Sequence, residues 1–225
     1  MEYQTPRTLV RWSVVHSILL MVTTVAAAAW NRPSIVALSG TGSLLSLTAL
    51  YWKRWTPDGV FGQANVMTLI RLAGVGVLVT IAGYGPTVAI PPLGFLLLAG
   101  DGVDGWLARR QNQASVFGEY FDKETDAFLL LVVCLLLTTQ GLVGPWILAG
   151  GLLRYLFVLT GRSIRGRRLA ERKTSRGRII YIVVTGLLLL CFLPLPSLHL
   201  PLALMALTLL IYSFAGEFWQ IISTG

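Results

Sequence analysis

Charge is scarce in this sequence. Only 12% of its residues are Asp, Glu, Lys or Arg, about half of what a soluble domain carries, and a soluble globule is thereby excluded. Cysteine is scarcer still. The two present, Cys134 and Cys191, sit in apolar runs, which excludes a disulfide scaffold and leaves each as a small buried hydrophobe. The two histidines, His16 and His199, lie in or beside apolar runs with no second ligand near in sequence, so both are read as structural or interfacial. No low-complexity tract is visible, nor any internal repeat on the scale of about 20 to 50 residues. Disorder and a collagen-like chain fail with them.

Apolar residues are what the sequence has, at 55%. Charged, Gly or Pro clusters divide them into stretches at about 12–29, 34–52, 63–83, 87–107, 118–139, 141–160, 179–193 and 199–222. One bilayer span takes about 20 apolar residues, so the pattern predicts an all-α integral membrane protein of about eight transmembrane helices, with no room for a separate soluble domain. The first stretch, preceded by Arg7 and Arg11 and ending in Ala26 to Ala29, looks like a cleavable signal. It is read as a first membrane helix because its run is long for a signal core. Residues 53–62 form the expected boundary between an N-terminal two-helix hairpin, 1–58, and a six-helix core, 59–225. The Ser39 to Ser43 run (SGTGS) imitates a phosphate loop but lies in an apolar span, where small residues serve helix packing.

The net charge is +8, which in a membrane protein speaks for orientation and anionic head groups rather than nucleic acid. Arg7 and Arg11, Lys53 and Arg54, Arg109 and Arg110, and the eight basic residues between Arg162 and Arg178 all fall on one side of an eight-span topology. The opposite loops hold Arg32. The positive-inside rule then places both termini in the cytoplasm.

The acidic residues within apolar stretches are grouped, and intramembrane carboxylates mark function by default. Asp101, Asp104, Gly105 and Ala108 follow at i, i+3, i+4 and i+7 on the fourth stretch, which puts them on one helix face. Gly118, Asp122 and Asp126, at i, i+4 and i+8, form a second stripe on the fifth. The short connection at 109–117 brings the four carboxylates to one depth. Four anions in low dielectric repel strongly or take up protons unless cations sit between them, and divalent metals are the economical answer. Hard oxygen donors without His or Cys point to Mg²⁺ or Mn²⁺, and four of them suit a pair of ions, an arrangement that serves phosphoryl chemistry.

The spacing D101-x2-D104-G105-x2-A108-R109-x8-G118-x3-D122-x3-D126 resembles the signature of the CDP-alcohol phosphotransferases at every fixed position. Asn65-x2-Thr68-x2-Arg71 is similar to the N-x-x-T-x-x-R element of the same family, and the likeness extends from about residue 63 to 222. It implies that Asp101, Asp104, Asp122 and Asp126 hold two divalent cations, with Asp126 also the general base. By the same resemblance Asn65, Thr68, Gly105, Ala108, Arg109 and Gly118 surround the CDP group, and the protein pairs as a homodimer. The chain departs from the family's habit at Ala64, where Pro is common, and at Lys123, Glu124 and Ala127 beside the last two aspartates.

Three basic residues lie inside helical stretches: Arg71, Lys123 and Arg154. For each of them a structural ion pair or snorkelling stands beside a role at the site. Arg154, with Arg176 and Arg178 at the head of the seventh stretch, resembles the positions that bind the acceptor's phosphate in members using phosphorylated alcohols, and arginine forks match phosphate oxygens. The other basic residues of 162–178 read as topology and lipid contacts. The expected function is transfer of a phosphatidyl group from a CDP-linked lipid to a small polar alcohol, of the glycerol 3-phosphate or inositol phosphate kind, with release of CMP. It would act in membrane lipid at a bacterial-type inner membrane, on the cytoplasmic side. A free alcohol such as serine, or a CDP-amino alcohol donor, is the alternative within the family. An intramembrane prenyltransferase and a cation-coupled transporter are the alternatives outside it.

Overall fold

The structure, a computed structural model, describes residues 7–110, 114–165 and 175–223; for 101–109, 161–165, 175 and 217–223 it describes the backbone alone. Among the described residues there are eight α-helices and no strand: α1 (Arg7–Ala29), α2 (Ser34–Leu50), α3 (Gln63–Tyr84), α4 (Ile90–Arg110), α5 (Val116–Thr139), α6 (Leu148–Arg165), α7 (Ser175–Leu190) and α8 (Pro196–Ser223). Within the described residues, α1, α3 and α8 each contain a run long and apolar enough to cross a membrane, and α2, α4 and α6 contain shorter apolar runs.

Seven of the eight apolar stretches become helices within a few residues of their expected bounds. The sixth starts later. A helix was expected from residue 141, yet α6 begins at Leu148, after a short 3-10 turn at Pro145–Ile147. Gly141 takes a left-handed conformation with φ +70°, which ends α5 as helix C-termini commonly end. Gly144 and Pro145 then keep the chain out of the helix for another turn.

The outer surface is apolar where a soluble protein's is polar, and polar groups join the apolar core inside. Val22, Val25, Leu38, Ile70 and Leu96 point outward and are more than half exposed, while Asn65, Thr68, Arg71, Asp122 and Glu124 are buried. Apolar groups facing out and polar groups facing in suit a lipid surround. Helix α5 is the axis of the bundle. Its stretch from Ala127 to Leu137 is buried all round, as expected of a helix apolar on every side, and it packs against α1, α2, α3, α6 and α7.

The hairpin of α1 and α2 docks on this axis through small and polar residues. A side chain at Gly40 would run into the ring of Phe128 on α5, whose nearest carbon lies 2.2 Å from where the Cβ would be. Packing, not phosphate binding, is what that glycine serves. His16 stacks on Trp12 with centroids 4.6 Å apart and its Nδ1 hydrogen-bonds with Ser43 Oγ at 2.8 Å. Its edge meets Tyr155 of α6, so the hairpin is tied to the core. His199 has a similar local role, with Nε2 3.0 Å from the Leu193 carbonyl. Cys134 and Cys191 are both unbridged and buried.

Candidate active site

The site is built where α3, α4 and α5 meet. The chain enters α3 through Gly62, whose φ of 77° and ψ of 151° belong to a region open essentially to glycine alone. The preceding segment is no loose linker. Trp55, Phe61, Phe117 and Phe121 form a run of ring contacts at 5.4 to 6.4 Å, and aromatic pairs of this kind add stabilisation beyond their buried area. Ser115 caps α5 by accepting a hydrogen bond from the Gly118 amide at 3.0 Å, and its hydroxyl donates to the Trp55 carbonyl. The start of α5 and the entry to α3 are thereby held together.

Asn65 and Thr68 lie one turn apart on α3, both buried. Asn65 donates to the Phe61 carbonyl, and Thr68 donates to the Ala64 carbonyl at 3.2 Å. A side chain added to Gly118 would meet Asn65 Oδ1 at 3.0 Å and Ser115 Oγ at 3.2 Å. Gly118 is therefore the clearance that lets the Asn65 amide lie against α5. Two residues 53 positions apart that the resemblance places around one ligand are neighbours.

One turn beyond Thr68, Arg71 is only 2% exposed. Its Nη1 donates to Asp122 Oδ1 at 3.0 Å, its Nη2 is paired with Asp126 Oδ1, and its Nε donates to the Leu97 carbonyl of α4 at 3.1 Å. A single guanidinium thus joins three helices. Gly100 makes room for it: a Cβ there would sit 3.1 Å from Arg71 Cδ and 3.2 Å from Cγ. Leu97 precedes Asp101 by one turn on α4, a rise of about 6 Å. Asp101, Asp104, Gly105, Ala108 and Arg109 occupy the C-terminal part of α4, and their side chains lie outside the described residues. Asp122 is the more buried of the two α5 aspartates, with side-chain exposure of 11% against 18% for Asp126.

The opposite face of α5 carries a second pair that spacing did not reveal. Glu124, 1% exposed, accepts from Arg154 of α6 in a fork, Nη2 to Oε1 at 2.8 Å and Nε to Oε2 at 3.4 Å. Glu124 stands two residues from each of Asp122 and Asp126, so it projects about 160° away from them around the helix. The only available signal was an acid out of step with the aspartate stripe. Lys123 pairs with Glu119 one turn earlier at 3.0 Å, which is a local ion pair.

The arginines expected to bind the acceptor come from two helices. Arg154 is the partner of Glu124. Arg176 and Arg178 open α7, the first exposed and the second partly buried. Three residues on from Arg178, the Tyr181 hydroxyl donates to the Asp126 carbonyl at 3.2 Å, and a spacing of three places Arg178 and Tyr181 on one face. Tyr181 is a second residue that sequence reasoning missed, since nothing local to it marks a bond 55 residues away.

Among the described side chains no three of His, Cys, Asp or Glu gather as a metal group. The two carboxylates that are described, Asp122 and Asp126, converge on one cation through one oxygen each. An all-oxygen donor set shaped around positive charge fits a hard divalent ion.

A family model for CDP-alcohol phosphatidyltransferases matches residues 61–216, more than half of the chain and every residue of the constellation from Asn65 to Arg178. Members in general depend on divalent cations. No solved structure matches the chain. The buried Asn65, Thr68, Arg71 and Asp122, the aspartate spacing and the extent of that match have one common explanation: the chain belongs to the CDP-alcohol phosphatidyltransferase family, a membrane family of transferases that move substituted phosphate groups.

Proposed function

We propose that this enzyme transfers a phosphatidyl group from a CDP-linked lipid such as CDP-diacylglycerol to the hydroxyl of a small phosphorylated alcohol, releasing CMP. The observation that carries the proposal is the convergence of Asp122 and Asp126, one turn apart, on a single cation where α3, α4 and α5 meet. Asp101 and Asp104 complete the donor set in this reading. Two bound divalent cations would neutralise the donor's diphosphate and the departing CMP.

The protein's own groups do the rest. Asn65, Thr68, Gly105, Ala108, Arg109 and Gly118 form the bed for the CDP group, where a side chain at Gly118 would displace the Asn65 amide. Asp126, the more open of the two α5 carboxylates, takes the proton from the acceptor hydroxyl. The oxygen so freed attacks the β-phosphorus, a P–O bond forms to the acceptor, and the bond to CMP breaks. Catalysis rests on alignment and on charge placed before the reaction begins. Arg178 supports the phosphorylated acceptor, being on the face of α7 that Tyr181 ties to Asp126. Arg154 and Arg176 belong to the same pocket, with Glu124 fixing the orientation of Arg154 while cancelling part of its charge.

The arrangement proposed around this site is a two-helix hairpin, 1–58, beside a six-helix core, 59–225. Both termini and the site face the cytoplasm at a bacterial-type inner membrane, and two copies pair as a homodimer. Positive charge on one set of loops supports the orientation. The test is CMP release by the purified protein given CDP-diacylglycerol and Mn²⁺ with glycerol 3-phosphate, an inositol phosphate or serine. Release with a phosphorylated alcohol is expected. No release with any alcohol, or undiminished release in EDTA, overturns the proposal, and release with serine alone replaces the acceptor.

A further inference from the structure

We infer that Arg71 competes with the divalent cations for Asp122 and Asp126, and so sets how tightly the site takes metal. The inference rests on the metal reading above. Its ground is that the Oδ1 atoms of both aspartates are hydrogen-bonded to one guanidinium, and the same carboxylates are the proposed metal ligands on α5.

An arginine cannot shed its charge to make way, because its guanidinium stays protonated in proteins. A small divalent ion binds carboxylate oxygen at about 2.0 to 2.1 Å. At that distance it would face Nη1, itself 3.0 Å from Asp122 Oδ1, as a like charge with almost no water between them. Burial of Arg71 at 2% exposure makes that repulsion strong. Either the guanidinium withdraws or the carboxylates turn their other oxygens to the metal, and in both cases metal binding works against the fork.

The surroundings are suited to holding Arg71 through such a change. Its Nε is tied to the Leu97 carbonyl on α4, a contact that does not involve the aspartates, and Gly100 leaves its stem unobstructed. Arg71 is therefore a positioning residue. It keeps the two carboxylates in register and from repelling each other, and it yields them in part when metal enters.

The experiment is Mn²⁺ binding to the purified full-length protein in nanodiscs, followed by electron paramagnetic resonance, with thermal stability measured in EDTA and in saturating Mn²⁺. Arg71→Met should bind Mn²⁺ more tightly by roughly 5- to 150-fold, the usual range of coupling between two bound groups, and should lose stability in EDTA while recovering much of it in Mn²⁺. Arg71→Lys, which keeps the charge but cannot span both carboxylates, should fall between Arg71→Met and the wild type. It decides the matter if Arg71→Met does not fold. A purely structural arginine would lower stability without tightening the metal. If wild-type protein binds Mn²⁺ and the folded variants bind it no more tightly, the competition is refuted and the metal reading survives. If the wild type shows no saturable Mn²⁺ binding, both fall together.

Discussion

Helix α5 carries two buried ionic clusters on opposite faces, and they differ in charge balance. Toward α6, Glu124 meets Arg154, one acid to one base among the described residues. Toward α3, Asp122 and Asp126 share Arg71, two acids to one base among the described residues. A balanced buried pair satisfies itself and its hydrogen bonds. It contributes modestly to net stability, but removing one partner is costly. A cluster in which acids outnumber bases among the described residues is suited to taking up added positive charge. Burial alone therefore does not distinguish the two clusters; among the described residues the balance of acids and bases does.

The comparison breaks most decisively at the unbalanced cluster. Asp122→Asn, like Asp101→Asn and Asp104→Asn, should lower turnover by about 10²- to 10³-fold or more, the scale of losing one preorganised electrostatic group at a reacting centre. Divalent binding should weaken in step. CMP release and Mn²⁺ binding measure the two effects, and a wild-type rate in any of the three would remove that carboxylate from the metal set.

At the balanced cluster the expectation is the reverse, with stability lost and metal binding kept. Arg154→Met alone leaves Glu124 buried without its partner and should cost about 3 to 5 kcal/mol. The double variant Glu124→Gln with Arg154→Met should recover most of the loss. Thermal unfolding in nanodiscs, with Mn²⁺ affinity measured alongside, checks both. If the single variant weakens Mn²⁺ binding tenfold, the two faces of α5 are one site and the contrast fails.

The smallest expected effect sharpens the acceptor side. Arg178→Ala should cost about 1.5 to 3 kcal/mol, one charge-assisted contact, seen as roughly a 10- to 150-fold loss in kcat/KM for a phosphorylated acceptor. Donor KM should stay near wild type. Because Glu124 already engages Arg154, the loss of acceptor affinity should be larger at Arg178 than at Arg154. Equal effects would mean that Glu124 releases Arg154 when the acceptor binds.

Regular spacing was enough to name Asp122 and Asp126 as neighbours on one face, because a helix turns by the same angle at every residue, whereas Asn65 and Thr68 were expected from their resemblance to a family element. Spacing could not show that Asn65 rests against Gly118, or that the hydroxyl of Tyr181 reaches the Asp126 carbonyl. Those contacts depend on how helices dock. The late start of α6 was missed for a different reason: residues 141–147 are apolar enough to continue a span, and only the backbone of Gly141 and the Gly144–Pro145 step interrupts it.

By itself the sequence determined the helices and the face that Asp122 and Asp126 share on α5, both of which rest on local periodicity and on the avoidance of charge in lipid. The tertiary structure alone decided which arginine Asp122, Asp126 and Glu124 each meet. Arg71 is 51 and 55 residues from its two aspartates, and Arg154 is 30 from Glu124. Periodicity tells which way a side chain points along its own helix, whereas a partner is set by the packing of one helix on another, and that is decided by Gly118, Gly100 and the aromatic rings at the entry to α3.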